Sequence, residues 1–410
     1  MKKLVSLLFV VCLTGTACQV QELVVAEETQ LVVAATSVDE ALLLDVGIVE
    51  FDPRLPDENE PDKTGIYADI RNAETKYIPY HLKTTLQSAG HWGAVRVIPS
   101  ESAYTDVIIS GAIVNSDGEN VELEMSVRDA AGRHWFTRSY ETVTGLTSYS
   151  NRRDRRRDPY QKVFNDFAND LYEHAASLPP KQLQQTRQIS ELQFFANMSP
   201  AAYNGYLSQD KNGTYSVARL PAENDPSVSR MRQIRERDRL VVDTLNEHYA
   251  NFYYGIAIPY RNWRKNSRAE TVKFRQEKRS AAMQALVGVV VLAASTQMDT
   301  NTSSRNTNNI NRALQYQGIS RGLDTVYRAI LRNREAGLHL EAIAELSQSF
   351  GNEAAPMVVN VEGQERRLTG TAEAQFESWR QLLHEIHEAE TGFSQTIEVG
   401  APARAPEPTS

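Results

Sequence analysis

Residues 121–127 alternate without a break: Val121, Leu123, Met125 and Val127 are apolar, and Glu122, Glu124 and Ser126 are polar. A period of two puts all the apolar side chains on one face, the pattern of a half-buried antiparallel strand. Such a strand needs neighbours on its edges and a layer over its apolar side. The flanks supply them. Asp117-Gly118 and the run Ala130 to Arg133 are turn sequences, with apolar runs beyond them at Asp106–Val114 and His134–Tyr140. Upstream, Leu42–Phe51 ends at Asp52-Pro53 and Ala94–Pro99 forms a further short run. Between them Ile70, Tyr77, Ile78, Leu82 and Leu86 recur at helical spacing within Tyr67–Ala89, and Gly90 suits a C-terminal cap. Pro79 inside that segment predicts a helix that starts or kinks there. The order β–α–β–β–β–β over residues 41–145 defines an α+β module, a small mixed sheet with packed helices.

The remainder reads as a mainly α-helical region followed by a short β-hairpin and a helix. Residues 146–180 hold a basic loop, with five arginines between Arg152 and Arg157, and then a linker helix with Val163, Phe167 and Leu171 on one face. The loop fits either an anionic lipid surface or a solvated connection. Residues 181–350 are helical, with a polar loop over 209–229 and a long helix over Met231–Ala250. The arginines 230, 232, 235, 237 and 239 are expected on a solvated or ion-paired face of that helix. Ser280–Met298 carry no charge, and their centre contains Leu286, Val287, Val289, Val290, Val291 and Leu292. A helix of this length spans about 28 Å, so the segment suits either a helix buried by its neighbours or contact with lipid. A polar loop over 299–311 and a helix over 312–334 follow. Residues 351–393 read as a hairpin, Met357–Gly363 with Arg366–Gly370, and a helix with Phe376, Trp379, Leu383 and Ile386 in register. The Ala- and Pro-rich residues 394–410 are expected to be disordered.

The N-terminus carries an address. Lys2 and Lys3 precede the short apolar core Leu4–Leu13, and Thr14, Gly15, Thr16 and Ala17 lead to Cys18. This is the layout of a secretory signal over residues 1–17, too short to span a bilayer. Small residues before a cysteine resemble the lipobox of bacterial lipoproteins, although Gly15 stands where that family usually has leucine. The resemblance implies a diacylglycerol on the Cys18 thiol, acylation of the new amino terminus with palmitate, and a membrane partner reached through this anchor. Gln19, where aspartate would favour inner-membrane retention, implies the outer membrane, facing the periplasm. The other reading is an ordinary signal cut near Ala17. Residues 18–40 then serve as the lipidated terminus and tether, with a short strand at Gln30–Ala34. The only other cysteine, Cys12, leaves with the signal, so disulfide frameworks and Cys₄ zinc sites are excluded.

The strand Val46–Phe51, the helix Tyr80–Ala89, the strand Val95–Pro99, the run from Asp106 to Ile113 and the turn from Asp129 to Trp135 resemble a recurrent periplasmic module. It is similar to the amino-terminal domain of TolB and the core domain of CsgG-type outer-membrane lipoproteins. The likeness covers about a quarter of the chain and implies an assembly or docking surface with no catalytic residues, and partners among envelope proteins or further copies of the chain. No long alternating hairpins suited to a CsgG-type transmembrane barrel are present.

Chemistry is sparse in the sequence. Tyr249, Tyr253, Tyr254, Tyr260 and Trp263, with Phe252, form an aromatic cluster that suits either sugar stacking, on a glycan or peptidoglycan, or the core of a helical bundle. His384 and His387 lie three apart, not at the spacing of His-Glu-x-x-His zinc proteases, so no metal site is expected. No Gly-x-Ser-x-Gly elbow, P-loop or dinucleotide fingerprint occurs, and no enzyme activity or cofactor is expected. A net charge of −8 offers no global basic field, and nucleic acid is not an expected partner.

Overall fold

The computed structural model describes residues 29–36, 38–55, 67–101, 104–145, 148–149, 157–222, 224–295, 334–352, 356–361 and 364–391. It has an α+β fold. Its central sheet has the order β2-β1-β3-β4-β5, with β1 (Val46–Ile48), β2 (Val95–Val97), β3 (Val107–Ser116), β4 (Asn120–Asp129) and β5 (His134–Val143). Strand β1 runs parallel to both β2 and β3, and β3, β4 and β5 are antiparallel hairpin neighbours. Parallel β1 and β2 need a crossover, and α1 (Ala68–Ala89) provides it. The alternation expected of β4 is present: Val121, Leu123, Met125 and Val127 are buried and the residues between them half-buried.

Helix α1 runs through Pro79, so it does not start there. A proline leaves the carbonyl four residues earlier without its helical donor. Here the Phe51 N–H donates to that carbonyl, Thr75 O, at 3.1 Å. Packing of the segment after β1 against the helix thus satisfies the group the proline orphans. Gly90, at φ 71°, closes the helix in the left-handed conformation.

Helices α2 (Gln161–Ser177) and α3 (Pro180–Met198) follow. Phe164, Phe167 and Leu171 of α2 join Tyr77, Leu82 and Leu86 of α1 and the apolar side of β4 in one core. The helix read as a linker is therefore part of the module's packing. The strand expected at Gln30–Ala34 is absent. These residues form a strap held by asparagine side chains of α2 and by the Ala34 N–H, which donates to Ala89 O at 2.9 Å. Asn165 Nδ2 donates to Thr29 O at 2.8 Å, Asn169 Nδ2 to Gln30 O at 2.9 Å, and the Val32 N–H to Asn169 Oδ1 at 2.8 Å.

A small hairpin, β6 (Leu207–Gln209) with β7 (Tyr215–Val217), occupies part of the expected polar loop. Helix α4 (Pro226–Ser295) then runs unbroken for 70 residues, a contour of about 105 Å. It joins two segments that the sequence pattern separates, Met231–Ala250 and the apolar stretch from Ser280. Its stripe Met231, Val242, Leu245 and Tyr249 packs in a second core with α3, whereas Phe252, Ile256, Tyr260 and Trp263 enter the core of the module. The Asn246 side chain pairs with both backbone groups of Val97, accepting at 2.9 Å and donating at 2.9 Å. It closes the β2 edge as a neighbouring strand would. Helix α5 (Arg334–Asn352), the hairpin β8 (Met357–Val361) with β9 (Gln364–Leu368), and α6 (Ala372–Thr391) complete the fold. The hairpin and final helix match the sequence expectation, and Phe376, Trp379, Leu383 and Ile386 are buried.

Candidate functional site

Among the described residues, buried charge occurs in the Asp238–Arg380 pair between α4 and α6, at 3.0 Å, and in two larger groups. The first is the seam where α4 meets α1 and the start of α2. Arg264 is 1% exposed and grips Asp158 with two bonds, at 2.8 and 2.7 Å. The Tyr260 and Tyr160 ring centres lie 4.3 and 4.7 Å from its guanidinium carbon. Burial opposes ionisation of Asp158, but Arg264 and the Tyr160 N–H hold its carboxyl well below the ordinary value. One turn away on α4, Tyr260 donates to Glu74 Oε1 at 2.5 Å, as does Ser116 Oγ at 2.5 Å. Burial raises the Glu74 carboxyl above its usual value.

His81 lies in the same seam. Gln161 Nε2 donates to Thr85 Oγ1 at 3.1 Å and to Asn165 Oδ1 at 2.9 Å, which turns Gln161 Oε1 toward His81. His81 Nε2 therefore donates to Gln161 Oε1 at 2.9 Å, and Nδ1 accepts from Tyr253 OH at 2.8 Å. Burial lowers the imidazole below its ordinary 6.5. Below that pH the unfolded chain binds more protons than the folded one at this site, so stability falls as pH drops. One such proton gives a slope of at most about 1.4 kcal/mol per pH unit. In His81→Gln this contribution is expected to vanish, so urea midpoints of variant and parent should converge between pH 7 and 5. Parallel curves for the two proteins would exclude His81 as the source.

The second place is a cavity of about 340 Å³ between α3 and the first turns of α4, lined by Gln184, Arg187, Gln188, Arg235 and Arg239, with Asp106 and Glu191. Arg235 is 9% exposed. Its NH2 donates to Ser190 Oγ at 2.7 Å and to Tyr104 O at 3.2 Å, both neutral acceptors. Its neighbours pair elsewhere: Arg239 with Asp45 at 2.8 Å and Glu236 at 3.6 Å, and Arg232 with Glu191 at 2.9 Å. A larger groove of about 480 Å³ beside β6 and β7 has Glu101 and Arg128 on its rim, and these pair with each other.

The structure distributes the residues singled out by sequence. Tyr249, Tyr260 and Trp263 are at most 1% exposed and act as core, so no sugar ring reaches them in this structure. Tyr253 is half-buried against His81, and Tyr254, 66% exposed, presents its ring to solvent beside Tyr80. Leu286, Val287, Val289, Val290, Val291 and Leu292 lie on the helical backbone near the end of α4. Among the described residues, no helix is long and apolar enough to cross a membrane. His387 is buried and His384 half-buried in α6, and no group suited to a metal ion occurs among the described residues. Cys18, most of the arginine loop and the segment 312–333 lie outside the described residues.

The sequence pattern does not single out Glu74, His81, Asp158 or Arg264, and it places Arg235 on the wrong face. Arginines on either side of Arg235 pointed to a solvated face, yet Met231, Arg235, Asp238 and Val242 are spaced three and four apart on the buried stripe. That spacing was the available signal. Compared with known proteins, the chain matches no family model and none of the curated sequences.

Proposed function

We propose that this chain is an exported, membrane-anchored lipoprotein that acts as a non-catalytic structural or assembly component of the bacterial cell envelope. The observation that carries the reading is the N-terminal order of Lys2, Lys3, the apolar core Leu4–Leu13, small residues and Cys18. The proposed site of action is the periplasmic face of the outer membrane, and the partners are envelope proteins or further copies of this chain. The use of buried charge supports a structural role. Arg264 pairs with Asp158 ahead of α2, and Glu74 of α1 accepts from Tyr260 of α4 and Ser116 of β3. They fix how α4 sits on the module.

The test is metabolic labelling with a palmitate analogue, followed by membrane fractionation. The parent chain is expected to take up label and to need detergent for extraction. Cys18→Ser is expected to lose the label and to accumulate with its signal uncleaved. Label retained in Cys18→Ser would overturn lipidation at this residue.

A further inference from the structure

We propose that the cavity beside Arg235 binds a phosphate-type oxyanion, carried by a small soluble monoester or by a lipid headgroup. A guanidinium taken out of water needs a compensating negative charge close by. Arg235 is nine-tenths buried, yet no carboxylate among the described residues comes within 4.0 Å of it. Neutral acceptors occupy only its NH2. The cavity it lines also receives Arg187, 3.9 Å from Asp106, and Arg239. Three guanidiniums from two helices converge there, and Gln184 and Gln188 add amide donors. Arginine forks match the geometry of phosphate oxygens and bind them through paired, charge-assisted bonds.

The two carboxylates on the wall attract Arg235 but offset only part of the charge of three guanidiniums. Glu191 is engaged by Arg232, through Nε at 2.9 Å and NH2 at 3.4 Å. Asp106 accepts from the Asp45 N–H at 2.9 Å and lies 3.9 Å from Arg187, so its single charge is shared between Arg187 and Arg235. The space, about 340 Å³, lies at the small end of ligand cavities and accommodates a phosphate with a short organic group attached.

The test measures thermal unfolding and calorimetric binding of the full chain in detergent. The probes are inorganic phosphate, glycerol 3-phosphate and dioctanoyl phosphatidic acid, with chloride at matched ionic strength as the control. Phosphate and at least one of the two esters are expected to raise the midpoint and chloride to leave it unchanged. The tighter of the two esters identifies the source as soluble or lipid. Gln188→Glu places a carboxylate in the cavity wall without removing an arginine. It is expected to weaken phosphate binding at least about tenfold, because it adds a negative charge to the cavity wall that repels the ligand. Arg187→Gln, at a half-exposed position, is expected to weaken binding in the same direction while the chain stays folded. Equal responses to phosphate and chloride, or undiminished phosphate affinity in folded Gln188→Glu, would overturn the site.

Discussion

Replacing Arg264 with leucine is expected to cost about 3–5 kcal/mol of unfolding free energy at neutral pH, measured by urea denaturation. The loss arises less from the missing bonds than from what they leave behind. Asp158 is 8% exposed and depends on Arg264 for two bonds. Without the guanidinium it is a buried carboxylate whose remaining donors are the Tyr160 N–H and Tyr77 OH. Its carboxyl value should therefore rise, and the deficit relative to the parent should shrink as pH falls and Asp158 can take a proton. The sign follows from the parent, where the depressed value adds stability above the unfolded 3.8 that is lost on acidification. Removing both charges, with leucine at 264 and at 158, should recover much of the loss. The exposed pair Arg54–Glu124 offers the contrast, since both side chains are more than 40% exposed. Arg54→Ala should change stability by less than about 1 kcal/mol. If Arg264→Leu lost no more than that, the seam would not be what holds α4 to the module.

Gly118→Ala is expected to be the next most damaging change, at about 2–4 kcal/mol, for two separate reasons. The glycine lies in the β3–β4 turn at φ 86°, where a side chain is strained. A Cβ there would also stand 2.4 Å from the Arg264 carbonyl oxygen and 3.0 Å from the Arg268 nitrogen, both backbone atoms of α4. The turn cannot move aside cheaply, because its carbonyl accepts from Tyr149 OH at 2.7 Å and Thr144 Oγ1 at 3.0 Å. Gly132 separates the two causes. It has φ 82°, but the nearest atom to its Cβ position is Gly213 O at 3.3 Å. Gly132→Ala should therefore cost about 1 kcal/mol, and urea titrations of the two variants should differ by the docking contribution. Equal losses would mean that the turn merely passes near α4 without supporting it.

How far the sequence revealed this arrangement depended on how local each cause is. The alternation of Val121–Val127 and the Asp-Gly turn are neighbour effects, and the sheet module follows from them. The hairpin at Met357 and the Phe376–Ile386 helix were legible for the same reason. Pro79 misleads because its remedy, the Phe51 N–H, comes from the segment after β1, more than twenty residues away. The strap at Gln30–Ala34 has strand-like residues, but strand status requires a partner edge and the chain offers asparagine side chains instead. Tyr249, Tyr260 and Trp263 have the same composition as a sugar platform, and only burial shows that their faces are occupied. The Arg235 cavity was the least legible feature. It needs α3 and α4 side by side, and single-helix periodicity reports only which residues share a face.

The strap sets a limit on geometry. Thr29 is tied to α2, and eleven peptide units separate it from Cys18, a leash of at most about 40 Å. Helix α4 has a contour more than twice that length. A chain acylated at Cys18 would thus keep its strap end close to the headgroups, while α4 is long enough to reach well past the leash. In a chain so anchored, lengthening residues 19–28 would let the module sit farther from the bilayer, much as a longer mooring lets a boat drift from the quay.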